Sequence, residues 1–324
     1  MVFKKFKIFG HGILLQQGIL MRSSLSSATK TQVLFSASAD ETIRLWNLEN
    51  GKCTHVYEGF GEAVLLLKMM PNGDQICLTK SGDHTIKIWL FYLKNDLKFL
   101  RFLCGHTQTV ICVKFSHVGD IIVSGSSDQT IKIWNYADGS CAKTLHGHTS
   151  CVLCLEMMPV GETLLSGSRD FTIKLWCLLK GVCLKTLSES SNLNWVHFLL
   201  VISSEKILSS TNDEIKIWNV KSEKCLDTLD IKNDYGISNL VLISNNEFIC
   251  SVRKTSIQIR DFKGKLVNEL KGHTNFISRL LPLPNTGELV SGSWDRTIKI
   301  WDTRRGCCLK TLKGHTGWTS YLMI

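Results

Sequence analysis

The chain has 324 residues, of which 44% are hydrophobic and 20% are charged, so it can bury a core and is not a disordered chain. Its formal net charge of +10 makes nucleic-acid binding one hypothesis to weigh. No run of about eighteen apolar residues occurs, so the sequence predicts no transmembrane helix and no membrane insertion. The 13 cysteines lie largely inside apolar runs, which indicates free thiols and an intracellular location in the cytoplasm or nucleus.

The first 32 residues differ in composition from the rest. Lys5–His11 alternates basic and apolar residues, which predicts a short strand, and residues 22–32 are rich in serine, as in a linker. We therefore expect residues 1–32 to form an N-terminal strand and linker, and residues 33–324 to form a single repeat domain.

From residue 33 onward, apolar runs that end in tryptophan recur at intervals of 41 to 45 residues, with Arg260 taking the place of one tryptophan. This period is that of a four-stranded propeller blade, about 40–45 residues. The third unit contains the β-rich runs VICVKF, IIVSGS, TIKIW and CAKTL, separated by turns. The pattern predicts seven such units, an all-β architecture and no helical domain. The tryptophans are Trp46, Trp89, Trp134, Trp176, Trp218 and Trp301.

Three units carry the same set of glycine, histidine, serine, aspartate and tryptophan. The third has Gly105-His106, Ser124-Gly-Ser126, Asp128 and Trp134; the fourth has Gly147-His148, Ser166-Gly-Ser168, Asp170 and Trp176; the seventh has Gly272-His273, Ser291-Gly-Ser293, Asp295 and Trp301. These units resemble WD40 repeats. The resemblance implies a seven-bladed β-propeller whose blades are four-stranded antiparallel sheets. Units two, five and six depart from the motif.

The recurring histidine, serine and aspartate could suggest a hydrolase triad. An active site is needed once, whereas this set occurs at least three times in register, and the resemblance implies a structural hydrogen-bond network instead. Cys151 and Cys154 form a single CxxC with no second pair to complete a metal site. We therefore expect no enzyme activity, no catalytic residue, no metal and no cofactor.

Two segments compete to close the ring. Residues 314–324 repeat the start of a unit, and so does Lys5–His11 with the residues that follow it. The spacing of the C-terminal copy fits the repeat better, and the N-terminal copy remains the alternative.

The resemblance also implies that certain positions face one opening of the ring. These positions flank the start of each innermost strand or precede the turn aspartate, and they hold Arg169, Trp195, His197, Phe276, Trp294 and Trp318. Tryptophan and arginine are typical anchors of protein interfaces. We expect these six residues to bind partners.

Three functions fit the sequence. The first is a non-enzymatic scaffold or adaptor that binds other proteins, as a monomeric ring within a larger complex. The second is a substrate receptor of a cullin-type ubiquitin ligase, because Trp301-Asp302-Thr303-Arg304 is similar to a WDxR box, in which Arg304 would contact the ligase adaptor. The third, a subunit of an RNA- or DNA-associated complex, is less favoured, because the basic residues are spread over the repeats.

Overall fold

The computed structural model describes residues 33–324 apart from 71–74, 81, 93–95, 117–120, 160–161, 189–193, 212–213, 232–236, 245–246, 253–254 and 285. The predicted N-terminal strand and linker, residues 1–32, lie outside the described residues. In the described part of the chain, no helix is long and apolar enough to cross a membrane.

The described residues form seven four-stranded antiparallel sheets, which are the blades of a propeller. This confirms the predicted all-β fold. Blade 1 contains β1 (Val33–Ser38), β2 (Ile43–Asn47), β3 (Cys53–Tyr57) and β28 (Thr319–Met323), and blade 2 contains β4 (Val64–Met69), β5 (Gln75–Lys80), β6 (Ile86–Tyr92) and β7 (Asp96–Leu103). Blade 3 contains β8 (Val110–Phe115), β9 (Ile121–Ser126), β10 (Ile131–Asn135) and β11 (Cys141–Leu145), and blade 4 contains β12 (Val152–Met157), β13 (Thr163–Ser168), β14 (Ile173–Cys177) and β15 (Val182–Leu187).

The remaining blades follow the same order. Blade 5 contains β16 (Phe198–Val201), β17 (Lys206–Ser210), β18 (Glu214–Asn219) and β19 (Lys224–Asp230). Blade 6 contains β20 (Ile237–Ser244), β21 (Glu247–Val252), β22 (Ser256–Asp261) and β23 (Leu266–Lys271), and blade 7 contains β24 (Ile277–Pro282), β25 (Glu288–Ser293), β26 (Thr297–Asp302) and β27 (Cys307–Lys313). The innermost strands, β4, β8, β12, β16, β20, β24 and β28, each contact the next, so they form a closed ring around a central channel.

The second strand of each motif-bearing blade is packed on both faces. In β9, β13 and β25 the last five residues are buried, and the central glycine of Ser-Gly-Ser faces the innermost strand of the next blade. A Cβ atom on Gly167 would lie 2.5 Å from the Val196 side chain, and one on Gly292 would lie 2.7 Å from Thr319. Glycine is therefore required here because adjacent blades approach too closely for a side chain.

Blade 1 is built from both ends of the described chain. β28 pairs antiparallel with β1, with Ser36 opposite Leu322 and Ala37 opposite Tyr321. Leu322 packs in a buried apolar cluster with Leu34 and Trp46. Of the two predicted closing segments, the structure places the C-terminal one beside β1. The pairing leaves no unpaired inner edge on blade 1, which is the problem that ring closure solves.

Candidate functional site

A hydrogen-bond network joins the third strand of blade 3 to the loop that precedes its first strand. Trp134 Nε1 donates to Ser124 Oγ at 2.8 Å, and Ser124 Oγ lies 2.7 Å from His106 Nε2. His106 Nδ1 lies 2.7 Å from Asp128 Oδ2. Every donor finds an acceptor if Ser124 donates to Nε2 and the histidine carries its proton on Nδ1.

The same network recurs in blades 4 and 7, as the repeat motif predicts. His148 lies 2.6 Å from both Asp170 Oδ2 and Ser166 Oγ, and Trp176 donates to that serine at 2.8 Å. In blade 7 the members are His273, Ser291, Asp295 and Trp301, at 2.7 Å for each contact. The glycine before each histidine lies against the tryptophan ring, where a Cβ on Gly147 would come 3.2 Å from Trp176.

A fourth network, which sequence analysis did not assign, lies in blade 1. His315 lies 2.7 Å from Ser36 Oγ and 2.9 Å from Asp40 Oδ2, and Trp46 donates to Ser36 at 2.8 Å. Its members are 275 and 279 residues apart along the chain. The signal that could have found it is Gly314-His315 near the C-terminus, matched with Asp40 and Trp46 in the first unit.

The serines of these networks cannot act as nucleophiles. Ser36, Ser124, Ser166 and Ser291 are all 0% exposed, so no substrate reaches their hydroxyls. Burial also lowers the pKa of His106 below its ordinary value, although Asp128 opposes the shift. A neutral, buried histidine between two fixed partners stabilises the fold, because every member of the network is satisfied. The described residues contain no group of three or more His, Cys, Asp or Glu placed to hold a metal.

Blades 2, 5 and 6 show what the missing motif residues change. In blade 2, Asp83 pairs with Lys87 at 2.7 Å instead of a histidine, and Trp89 Nε1 is buried with no acceptor among the described residues. In blade 5, Trp218 still donates to Ser209 at 2.8 Å. In blade 6, Arg260 replaces the tryptophan, and its guanidinium donates to the Gln258 side chain at 2.9 Å.

The turn aspartates fix the loops at one face of the ring, which we call the upper face. Asp295 Oδ1 accepts from the amide and hydroxyl of Thr297 at 2.9 and 2.6 Å, and Asp295 Oδ2 accepts from the Thr274 amide at 3.0 Å. Arg296, the residue between the aspartate and the threonine, has a left-handed backbone conformation with φ of 68°. This turn holds the preceding residue, Trp294, whose amide donates to the Phe276 carbonyl at 2.8 Å.

Three of the six predicted binding residues form one exposed cluster on the upper face. Phe276, Trp294 and Trp318 are 38%, 42% and 37% exposed. The Trp294 ring centroid lies 5.3 Å from that of Phe276 and 4.2 Å from that of Trp318, both edge-on. We call this the tryptophan cluster, and it spans the junction of blades 7 and 1.

The other three predicted residues form a second group, the arginine cluster. The Arg169 guanidinium lies 4.4 Å from the Trp195 ring centroid, in a cation–π contact. The His197 ring lies 6.0 Å from that of Trp195, which is 40% exposed. Arg169 belongs to blade 4 and the other two to blade 5, so blade 6 separates the clusters, and the structure does not bring the six residues into one contiguous patch.

Arg304 lies at the opposite end of its blade from the tryptophan cluster. It is exposed in the turn between β26 and β27, and its amide donates to Asp302 Oδ1 at 2.9 Å. The neighbouring Thr303 is buried, and its hydroxyl donates to the Gly287 carbonyl at 2.6 Å. Thr303, which departs from the aliphatic residue usual in the WDxR box, therefore has a structural role in this blade.

Acid should destabilise the propeller through the turn aspartates. Burial by itself raises the pKa of Asp128, but hydrogen bonds from Thr130, Thr107 and His106 lower it to about 2, from 3.8. The stabilising contribution of this carboxylate is complete above pH ~4 and is lost as the pH falls towards ~2, because the unfolded chain takes up the proton first. Between pH ~4 and pH ~2 the free energy of unfolding should fall by about 2 kcal/mol less in Asp128→Asn than in the unsubstituted protein, as measured by urea unfolding at each pH.

The exposed Asp227→Asn variant is the control for this measurement and should retain the full acid dependence. An acid dependence that is identical in the Asp128→Asn variant and the unsubstituted protein would contradict the role assigned to the network.

Comparison with known proteins agrees with this geometry. The family model described as "WD domain, G-beta repeat" matches residues 5–47, 97–135, 139–177 and 264–302. Each of the last three matches covers the complete motif of one unit and ends one residue after its tryptophan. The first match includes residues 5–32, outside the described part of the chain, and ends at the third strand of blade 1.

Curated relatives are similar over about a third of the chain. WD repeat-containing protein pop2 of Schizosaccharomyces pombe is 32% identical over 138 residues, 33% of this chain and 19% of its own length. Nuclear distribution protein PAC1 of Gibberella zeae is 33% identical over 119 residues, 34% of this chain and 25% of its own length. Pre-mRNA-processing factor 17 of Saccharomyces cerevisiae is 34% identical over 90 residues, 28% of this chain and 19% of its own length.

The matched segments thus span a quarter or less of the length of these relatives. The repeat motif, the family match and the ring of seven sheets lead to one conclusion: the chain contains WD40 repeats and folds as a β-propeller.

Proposed function

We propose that this protein is a non-catalytic scaffold that binds protein partners on the upper face of its propeller. The tryptophan cluster is the observation that carries the proposal. Three large aromatic side chains, in which Trp294 contacts both Phe276 and Trp318, remain 37–42% exposed, although exposure of contiguous apolar surface is unfavourable in water. Burial of such rings in a partner's surface supplies binding free energy, and tryptophan is enriched among the residues that dominate interfaces.

The rigidity of the cluster supports the same proposal. Trp294 follows β25 and is held by the Asp295 turn, whereas Trp318 precedes β28, and its carbonyl accepts from the Ala39 amide at 3.0 Å. Side chains on a fixed backbone lose little conformational entropy on binding, so more of the contact free energy appears as affinity.

The arginine cluster defines a second contact. The Arg169 guanidinium stacks on the Trp195 ring, so it presents an exposed cation on an apolar base. We propose that a partner segment crosses blade 6 between the two clusters and places a carboxylate at Arg169. The relatives include a nuclear distribution protein and a pre-mRNA-processing factor, which is consistent with a role in an intracellular, cytoplasmic or nuclear assembly.

The basic residues of the repeats do not favour nucleic-acid binding. Lys87 pairs with Asp83 at 2.7 Å, and Lys216 is buried with Glu214 at 3.6 Å. The Lys132 ammonium donates to Thr144 at 2.9 Å. These three lysines are engaged within their own blades, which supports a protein partner over a nucleic acid.

Trp294→Ala and Arg169→Glu should each weaken partner binding at least tenfold and leave the fold intact, since both side chains are exposed. Partners recovered with the unsubstituted protein would be purified, and their dissociation constants measured by calorimetry. Phe102→Ala and Arg305→Glu are matched controls, because Phe102 is 51% exposed on the outer strand of blade 2 and the Arg305 side chain is 80% exposed at the lower turn of blade 7.

The proposal fails if the Trp294→Ala protein binds as tightly as the unsubstituted protein, or if Phe102→Ala weakens binding equally. Unfolding of the Trp294→Ala protein would show that this ring is a core residue and would contradict the assignment as well.

A docking role for Arg304 is the second candidate. The exposed Arg304 guanidinium lies on the face opposite the tryptophan cluster, so a ligase adaptor could bind there while a substrate occupies the upper face. We expect Arg304→Ala to abolish co-precipitation with a propeller-type adaptor and Arg305→Ala to retain it. If the adaptor is not recovered with the unsubstituted protein, or is recovered equally with Arg304→Ala, this candidate is wrong.

A further inference from the structure

The innermost strands carry a group of four charged side chains and one tyrosine that the upper-face proposal does not use. Five of the seven innermost strands contribute to it: Lys68 from β4, Lys114 from β8, Glu156 from β12, Arg279 from β24 and Tyr321 from β28. All five are half-buried residues on the strands that surround the channel. We call them the channel cluster.

Two pairs within the channel cluster are already in contact. Lys114 Nζ lies 2.6 Å from Glu156 Oε2, with 28% and 24% of the two side chains exposed, so solvent reaches this part of the channel. The Arg279 guanidinium lies 4.6 Å from the Tyr321 ring centroid, in a cation–π contact. A ring contact is weaker than a carboxylate partner and leaves the N–H donors of the guanidinium free to bind an acceptor.

The channel cluster contains more basic than acidic side chains. Within the described residues the cluster has three basic side chains and one acidic one, and the acidic one pairs with Lys114. Lys68 has no hydrogen-bond acceptor or carboxylate partner there, and Arg279 Nε is buried without an acceptor. Burial lowers the pKa of Lys68 and neighbouring Lys114 adds to that effect, whereas Tyr321 and Glu156 oppose it. Lys68 and Arg279 therefore carry a desolvation cost without a paired carboxylate among the described residues, and an anion would offset that cost.

The three cations lie on strands that meet around the Tyr321 ring. This ring, which the Arg279 guanidinium contacts, also packs against the buried cluster that contains Leu66 of β4 and Val113 of β8, so Arg279 lies towards the strands that carry Lys68 and Lys114. The excess of basic over acidic side chains favours an anionic ligand. Lysine supplies a compact charge with three donors, and arginine supplies directed N–H donors suited to oxyanions.

We propose that the central channel binds a phosphate-sized oxyanion between Lys68 and Arg279, with Lys114 shared between the anion and Glu156. The site is independent of the upper face, and its ligand enters through the solvent-accessible channel. Glu156 limits its affinity, because its carboxylate competes with the anion for Lys114.

Titration of the full chain with inorganic phosphate tests the proposal, with sodium chloride at equal ionic strength as the reference. Calorimetry should show saturable binding to the unsubstituted protein. Lys68→Met and Arg279→Lys should each weaken binding at least tenfold, and Glu156→Gln should strengthen it about threefold or more. The matched control is Lys174→Met, since Lys174 is half-buried on β14 and donates to Thr186 at 3.1 Å, outside the channel.

Lys68→Met is expected to fold, because replacing a half-buried unpaired cation with an apolar side chain of similar size is commonly neutral or stabilising. Circular dichroism and the unfolding temperature would verify this for each variant. The proposal is overturned if phosphate binds no more strongly than chloride to both the unsubstituted protein and Glu156→Gln. It is also overturned if Lys68→Met binds normally, or if Lys174→Met reduces binding as much as Lys68→Met does.

Discussion

The hydrogen-bond chain from tryptophan through serine and histidine to aspartate is the interaction on which this propeller depends. Each copy joins the third strand of a blade to its second strand, to the loop before its first strand and to the upper turn. In blade 1 the same hydrogen-bond network joins Asp40 to His315, 275 residues away. The interaction that stabilises single blades elsewhere therefore also closes the ring. A buried polar network stabilises a fold only when every member is satisfied, and four blades meet that condition with nearly identical distances.

The networks also account for where the binding surface lies. The aspartate that accepts from histidine also holds the upper turn, and the residue before that aspartate is presented outward, as Trp294 is. Trp318 lies in the loop between His315 and β28, directly before the closing strand. The tryptophan cluster therefore forms only when β28 is seated beside β1, which makes the proposed partner surface dependent on ring closure. The channel cluster depends on closure too, since Arg279 and Tyr321 lie on adjacent inner strands across the same junction.

The sequence predicts the fold well because its signal is repeated: tryptophan spacing, Gly-His and the turn aspartate each recur in register. It leaves ring closure open because two segments repeat the start of a unit, and only the pairing of β28 with β1 distinguishes them in the described chain. The exposed positions of Trp294 and Arg169 follow from their place in the motif, but their separation into two clusters depends on the angle between blades. The channel cluster is not predictable, because Lys68, Lys114 and Arg279 come together only once seven blades set the width of the channel.

Hydrogen exchange of β1 tests the central claim most directly, because this strand depends on the network that joins the chain ends. His315→Ala removes the partner of Ser36 and Asp40, whereas His146→Ala changes an exposed histidine in the equivalent loop of blade 4. Exchange of residues 33–38, followed by mass spectrometry, should become at least tenfold faster in His315→Ala and stay unchanged in His146→Ala, with β13 protected in both. Equal protection of β1 in the two variants would contradict the claim that this network closes the ring.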